Sequence, residues 1–344
     1  MMSSISTDEM FDNDLELRIQ PCSEAEIRFY ITANRCFPAF ANLMPLFMGS
    51  LQLNDSDHHL CDHDDKMPPE GLGNVPATGG YIKNQLRDGP PQSPLYSVAV
   101  VIENYTSRFQ KPNICSVRLG KQLWGEGATI AKRESFDRFA AQTTHAELGF
   151  GITSMRVYRG DDEHVDWDAD GYQVFNREWA RYAVNAKNVS EAFGRFIFNR
   201  SSGVTGPLGR AVAHEFLRQL EQLRDTLEQV EWRSCSSNLQ FVYEGDGESL
   251  ERAIHENNTL LENLESSDQK GLSKGLSVSD EYDSDDEEEV RIAPIFSLKL
   301  TDFSDARWTP GKGPDENIIA GVHSLIRIFE KLKDGDERSE GVRV

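Results

Sequence analysis

The sequence predicts a fold that mixes α-helices with β-strands, in a core of one large domain or two lobes. Three observations predict it. The chain has 344 residues, whereas single cores stop growing near roughly 250–300 residues. Tyr96 to Asn104 reads YSVAVVIEN, a β-branched run of the length of a buried strand. Residues 210–231 place Val212, Phe216, Leu220, Leu223 and Leu227 on one helical stripe, which suits packing on the core of the larger lobe.

The elements follow in order. From Glu24, apolar residues at helical spacing, punctuated by Pro38 and Pro45, end in a strand-like run, so a helix running into a strand is expected. Residues 52–93 are polar and rich in Gly and Pro and read mostly as a surface loop, with only the GYIK portion open to ordering. The strand at 96–104 leads through a loop ending at Pro112 into a second strand, Ile114–Leu119. Ala128–Gln142 has helical spacing, with Lys132 and Arg133 on its first turns, and GITSMRVY after it reads as a strand. Residues 246–290 are hydrophilic and include DEYDSDDEEE, eight acids in ten residues. Such a run repels itself and supplies no core, so a disordered insertion is expected. IAPIFSLKLTDFSDARW reads as a strand and a turn, and ENIIAGVHSLIRIFEKL as a terminal amphipathic helix.

Composition narrows the function classes. The formal net charge is -21, so the average surface repels polyanions; nucleic-acid binding is disfavoured and any phosphate site must be a local basic concavity. No apolar run approaches the ~20 residues of a membrane span, and the acidic start lacks the features of a secretory signal. The five cysteines are scattered and odd in number, which points to a reducing compartment, cytoplasmic or nuclear.

Four segments carry residues suited to chemistry. SLKLTDFSDARW sets Asp302 and Asp305 just after an apolar strand, a position that suits Mg²⁺, although opening a turn or capping a helix is the commoner use of such an aspartate. In PNICSVRLG, Arg118 shares a strand face with Ser116; its planar fork of donors suits phosphate oxygens if that face lines a cleft. Ser236 and Ser237 precede a strand ending at Glu244, where hydroxyls bind phosphate or cap backbone groups. His58, His59, Cys61 and His63 lack regular ligand spacing and are not read as a metal site.

Taken in order, the segments resemble the inositol polyphosphate kinases. That family carries P-x-x-x-D-x-K-x-G, then a basic pair on a helix, T-T-x-x-x-L-G-F-R, S-S-x-L-x-x-x-Y-E-G, D-F-A and P-D-x-x-x-x-x-G. The matching segments are Pro112–Gly120, Lys132–Arg133, Thr143–Gly151, Ser236–Gly245, Asp302–Ser304 and Pro314–Gly321, and Glu26-x-x-Phe29-Tyr30 is similar to an early E-x-x-F-Y. The resemblance implies a two-lobed, protein-kinase-like α+β fold with a small helical substrate-binding region. Its N-terminal lobe would span 1–103 and its C-terminal lobe 104–344, with substrate-binding helices at about 121–150. It implies an ATP- and Mg-dependent kinase of a soluble inositol polyphosphate, expected to be monomeric. By position, Glu103 and Tyr105 would lie near adenine, and Ser236 and Ser237 near the nucleotide phosphates. Arg118, Lys132 and Arg133 would face substrate phosphates, Asp302 would hold Mg²⁺, and Ser116, Arg118 and Asp302 would be the catalytic positions.

Three positions depart from the motifs. Gln20-Pro21 stands where the family has a lysine before proline, Ser116 replaces the motif aspartate, with Arg118 for its lysine, and Gly151 follows G-F in place of arginine. Because phosphoryl transfer rests on positioning and charge neutralisation, such losses define an alternative: a pseudokinase or inositol-phosphate-binding scaffold.

Overall fold

A computed structural model describes residues 16–52, 98–160, 167–235, 237–271 and 295–335. Its first elements are β1 (Leu17–Cys22), α1 (Glu24–Cys36), α2 (Pro38–Ala41), β2 (Phe47–Gln52) and β3 (Val98–Glu103). Ser23 caps α1 by accepting the Glu26 N–H at 3.2 Å, and Glu24 and Glu26 lie in the first turn, where the helix dipole favours acids. The β-branched β3 is the centre of an antiparallel sheet of order β1-β3-β2. Arg18 and Gln20 pair with Ile102 and Val100 and so share one face of β1.

The chain continues through β4 (Pro112–Leu119), α3 (Ile130–Ala141), α4 (His145–Leu148), β5 (Phe150–Tyr158), β6 (Tyr172–Phe175), α5 (Arg177–Tyr182), α6 (Val189–Ile197) and α7 (Gly206–Leu227). It ends with β7 (Trp232–Arg233), β8 (Asn238–Glu244), α8 (Gly247–Gly271), β9 (Phe296–Thr301), β10 (Arg307–Trp308) and α9 (Glu316–Lys333). A five-stranded antiparallel sheet has the order β6-β5-β4-β8-β9. In β4, Cys115, Val117 and Leu119 are buried while Ser116 and Arg118 are half-buried, the two-residue alternation of a strand with one face on a core. On the buried face Phe241 stacks on Phe329 of α9 at 5.2 Å, and Phe216 of α7 meets Phe241 edge-on at 5.2 Å.

Two junctions place the functional face. Phe29 of α1 stacks on Phe303 at 5.2 Å and on Trp308 at 4.6 Å, and Phe40 packs on Trp232, which brings α1 beside the turn after β9. Gly149 closes α4 with a φ of +75°, and a Cβ on Gly321 of α9 would lie 2.3 Å from its carbonyl oxygen. Only glycine allows the two backbones this close. Asn317 then accepts the N–H groups of Lys121 and Gln122 at 2.7 and 2.9 Å and holds the end of β4.

One expectation is corrected. The first half of the stretch read as a disordered insertion over 246–290 is α8, with Leu250 fully buried and Ala253 and Ile254 packed on the core. The i, i+3, i+4 spacing of these three residues specifies a helix, but it is diluted when the whole acidic stretch is averaged. The DEYDSDDEEE run, most of the loop read over 52–93 with its GYIK portion, and the His58–His63 cluster lie outside the described residues. None of the described helices is long and apolar enough to cross a membrane.

Candidate functional site

Asp302 sits where β9 ends, in a left-handed conformation with a φ of 62°. That conformation is uncommon for a residue other than glycine. It accepts the Ser304 hydroxyl at 2.7 Å. Facing it from α1 is Glu26, which is buried, with its carboxylate bonded to the Phe303 N–H. Burial and the Asp302 charge push the Glu26 pKa up to about 7. Two crowded carboxylates of this kind fit a hard divalent cation, which would remove their repulsion and is ordinarily held by one or two carboxylates plus phosphate oxygens. Among the described residues no set of three or more His, Cys, Asp or Glu forms a metal cage, so the remaining ligands would come from nucleotide and water. Asp305 is engaged otherwise: it accepts the Ser234 hydroxyl at 2.7 Å and the Cys235 N–H at 2.8 Å.

Arg118 projects from the same side. Its Nη2 donates to the Cys235 carbonyl at 2.8 Å, and its guanidinium lies over the Phe136 ring at 5.7 Å. Burial lowers its pKa, and the charges of Asp302 and Asp305 oppose that shift. Its Nε is buried without a hydrogen-bond partner among the described residues, a donor left available for an anion. Lys132 leans over the same Phe136 ring at 5.9 Å, so α3 brings a second cation toward Arg118. Arg133 is used differently: Nε donates to the Ala128 carbonyl at 2.9 Å and the guanidinium stacks on Trp124 at 4.6 Å, which fixes the loop before α3.

The remaining predicted residues occupy varied surroundings. Ser116 shares the face of Arg118 and pairs in register with Ser154 and Gln240. Tyr105 is buried, and its hydroxyl bonds the Gln240 side chain; burial pushes its pKa up to about 12. The Glu103 carboxylate accepts the Leu46 N–H at 3.1 Å and pairs with Lys299 at 3.5 Å, linking the two sheets. Ser237 is buried and its hydroxyl has no partner among the described residues. Ser236 lies outside them. Gln20 is exposed.

A model of the inositol polyphosphate kinase family matches residues 99–330. The chain belongs to the inositol polyphosphate kinase family. Among its relatives, the inositol polyphosphate multikinase of Saccharomyces cerevisiae is 31% identical over 248 residues, 68% of this chain and 68% of the relative. That of Schizosaccharomyces pombe is 23% identical over 326 residues, 94% of this chain and 92% of the relative. A crystal structure of the S. cerevisiae inositol phosphate multikinase in complex with ADP and Mn²⁺ superposes with a TM-score of 0.60 at 26% identity, covering 92% of this chain and 99% of that one. The two-lobed α+β kinase-like fold expected from the motifs accords with this likeness.

Three residues that neighbour these candidate positions escape a reading of the motifs. Glu26 lies in a matched motif, but the motif by itself gives it no role. Arg18 lies two residues before Gln20 on the same face and bonds the Tyr105 side chain, so this face keeps a cation despite Gln20. The period-two alternation of LRIQPC is the signal that finds it. His145 is the third, and nothing in its local sequence marks it.

Proposed function

We infer that the protein is a kinase that transfers the γ-phosphoryl group of ATP to a hydroxyl of a soluble inositol polyphosphate. The observation that carries this reading is that Glu26 on α1 and Arg118 on β4 both feel the charge of Asp302 after β9, while the Arg118 guanidinium lies over Phe136 of α3 at 5.7 Å. A carboxylate suited to a divalent cation thus acts on a guanidinium suited to phosphate. The multikinase relatives, and the relative seen with ADP and Mn²⁺, support the same chemistry.

In this reading Asp302 would hold Mg²⁺ with Glu26 beside it, and the chemistry such a cation would supply is neutralisation of phosphoryl charge. Arg118 offers Nε and the rest of its fork to acceptor phosphates, and Lys132 supplies a second positive charge. Glu103 and Tyr105 would flank the nucleotide base, and Ser237, whose buried hydroxyl has no partner among the described residues, would lie toward its phosphates. Ser116 contributes no carboxylate, so the site depends on positioning and charge more than on a base at this position. The pseudokinase reading rests on Gln20, Ser116 and Gly151 and is not favoured, since the Asp302 and Arg118 positions are both furnished.

The test is an assay of ATP consumption with separation of inositol phosphate products, using inositol tris-, tetrakis- and hexakisphosphate as acceptors. Wild type is expected to convert at least one of them in a Mg²⁺-dependent reaction, and Asp302→Asn to abolish it, because the amide lacks the charge that holds the cation. Absence of any product from wild type, or undiminished Mg²⁺-dependent turnover by the variant, overturns the reading.

A further inference from the structure

Gly151 pairs in register with Arg118, so a side chain at position 151 would emerge on the same sheet face, beside that of Arg118. This is the place where the family motif has arginine. Here it is filled by a residue from another element. A Cβ built on Gly151 would lie 2.6 Å from Nε2 and 2.9 Å from Cδ2 of His145, closer than real contacts allow. His145 begins α4 and is 2% exposed; its Nδ1 bonds the carbonyl of Gly120 at 2.9 Å, and its ring lies 5.9 Å from that of Phe139 on α3. The ring is thus clamped on three sides: by the end of β4, by β5 and by α3.

We propose that His145 is a positioning residue for the phosphorylated acceptor: seated on Gly151, its ring walls off the space beside Arg118 and directs the guanidinium toward Phe136 and the Cys235 carbonyl. The role rests on the reading of Arg118 as an acceptor-binding group. Burial and the Arg118 charge hold the His145 pKa down at about 4, so the ring is a neutral wall that does not compete for phosphate. Nδ1 carries the proton given to the Gly120 carbonyl, which leaves Nε2 turned to Gly151. Glycine at 151 and histidine at 145 are therefore one device: a side chain at 151 and the ring cannot occupy the same place.

The experiment measures inositol phosphate and ATP/Mg²⁺ affinities by titration calorimetry, with melting temperature as a control for folding. The proteins are wild type, His145→Ala, Gly151→Ala and the pair His145→Ala/Gly151→Arg. His145→Ala and Gly151→Ala should each weaken acceptor binding about tenfold, because one removes the wall and the other displaces it, and both should leave ATP affinity within about twofold. The pair should regain acceptor affinity, since the arginine side chain enters the vacated space. A merely structural histidine would lower the melting temperature and weaken both ligands together, and that result overturns the proposal. So do single variants that bind acceptor as wild type does. A wild type that binds no inositol phosphate overturns the functional reading, and this role falls with it.

Discussion

Replacing Glu26 by glutamine tests the crowding of the two carboxylates directly. Glu26 is buried on α1, and its pKa rises from 4.5 to about 7 through burial first and the Asp302 charge second. The unfolded chain loses this proton near pH 4.5 while the folded protein keeps it until about pH 7. Between these values the folded state binds more protons, so stability falls as pH rises, and the full loss is present above pH 7. The span corresponds to about 3 kcal/mol. The amide introduced by Glu26→Gln keeps an oxygen for the Phe303 N–H but carries no charge, so this variant should escape the loss. In EDTA, it should melt about 5 °C higher than wild type at pH 8 and match it near pH 4.5. Melting by circular dichroism across this range reads the result. An equal difference at both pH values, or a variant less stable at pH 8, refutes the argument that Glu26 is held against a neighbouring charge.

Three further outcomes are expected. Arg118→Ala should weaken inositol phosphate binding by about 1.5–3 kcal/mol, the worth of a charged hydrogen bond, with ATP affinity retained, as titration calorimetry would report. Ser116→Asp combined with Gln20→Lys should raise the rate of phosphoryl transfer by more than the product of the single changes, because both act on one transition state; product assays on all three variants check this. Gly321→Ala should destabilise the protein by about 3 kcal/mol, since its methyl group would meet the Gly149 carbonyl at 2.3 Å, whereas Gly127→Ala, with open space around it, should be near neutral in denaturant unfolding.

What the sequence by itself determined is whatever neighbours along the chain encode. The alternation in β4 puts Ser116 and Arg118 on one face, the apolar stripe of α7 appears at Val212, Phe216 and Leu220, and the ordered motifs from Pro112 to Gly321 identify the family. Each of these follows from local periodicity or from residue types at short spacing. Tertiary structure decided which distant groups meet. Glu26 lies against Asp302 because Phe29 stacks on Phe303 and Trp308, and His145 lies against Gly151 because α4 folds back on the end of β4. Lys132 and Arg133, adjacent in sequence, part company because one ring, Phe136, draws the first toward Arg118 and another, Trp124, holds the second. Local pattern sets which face a side chain takes, but the strand order β6-β5-β4-β8-β9 and the glycine contact between α4 and α9 set what stands opposite it.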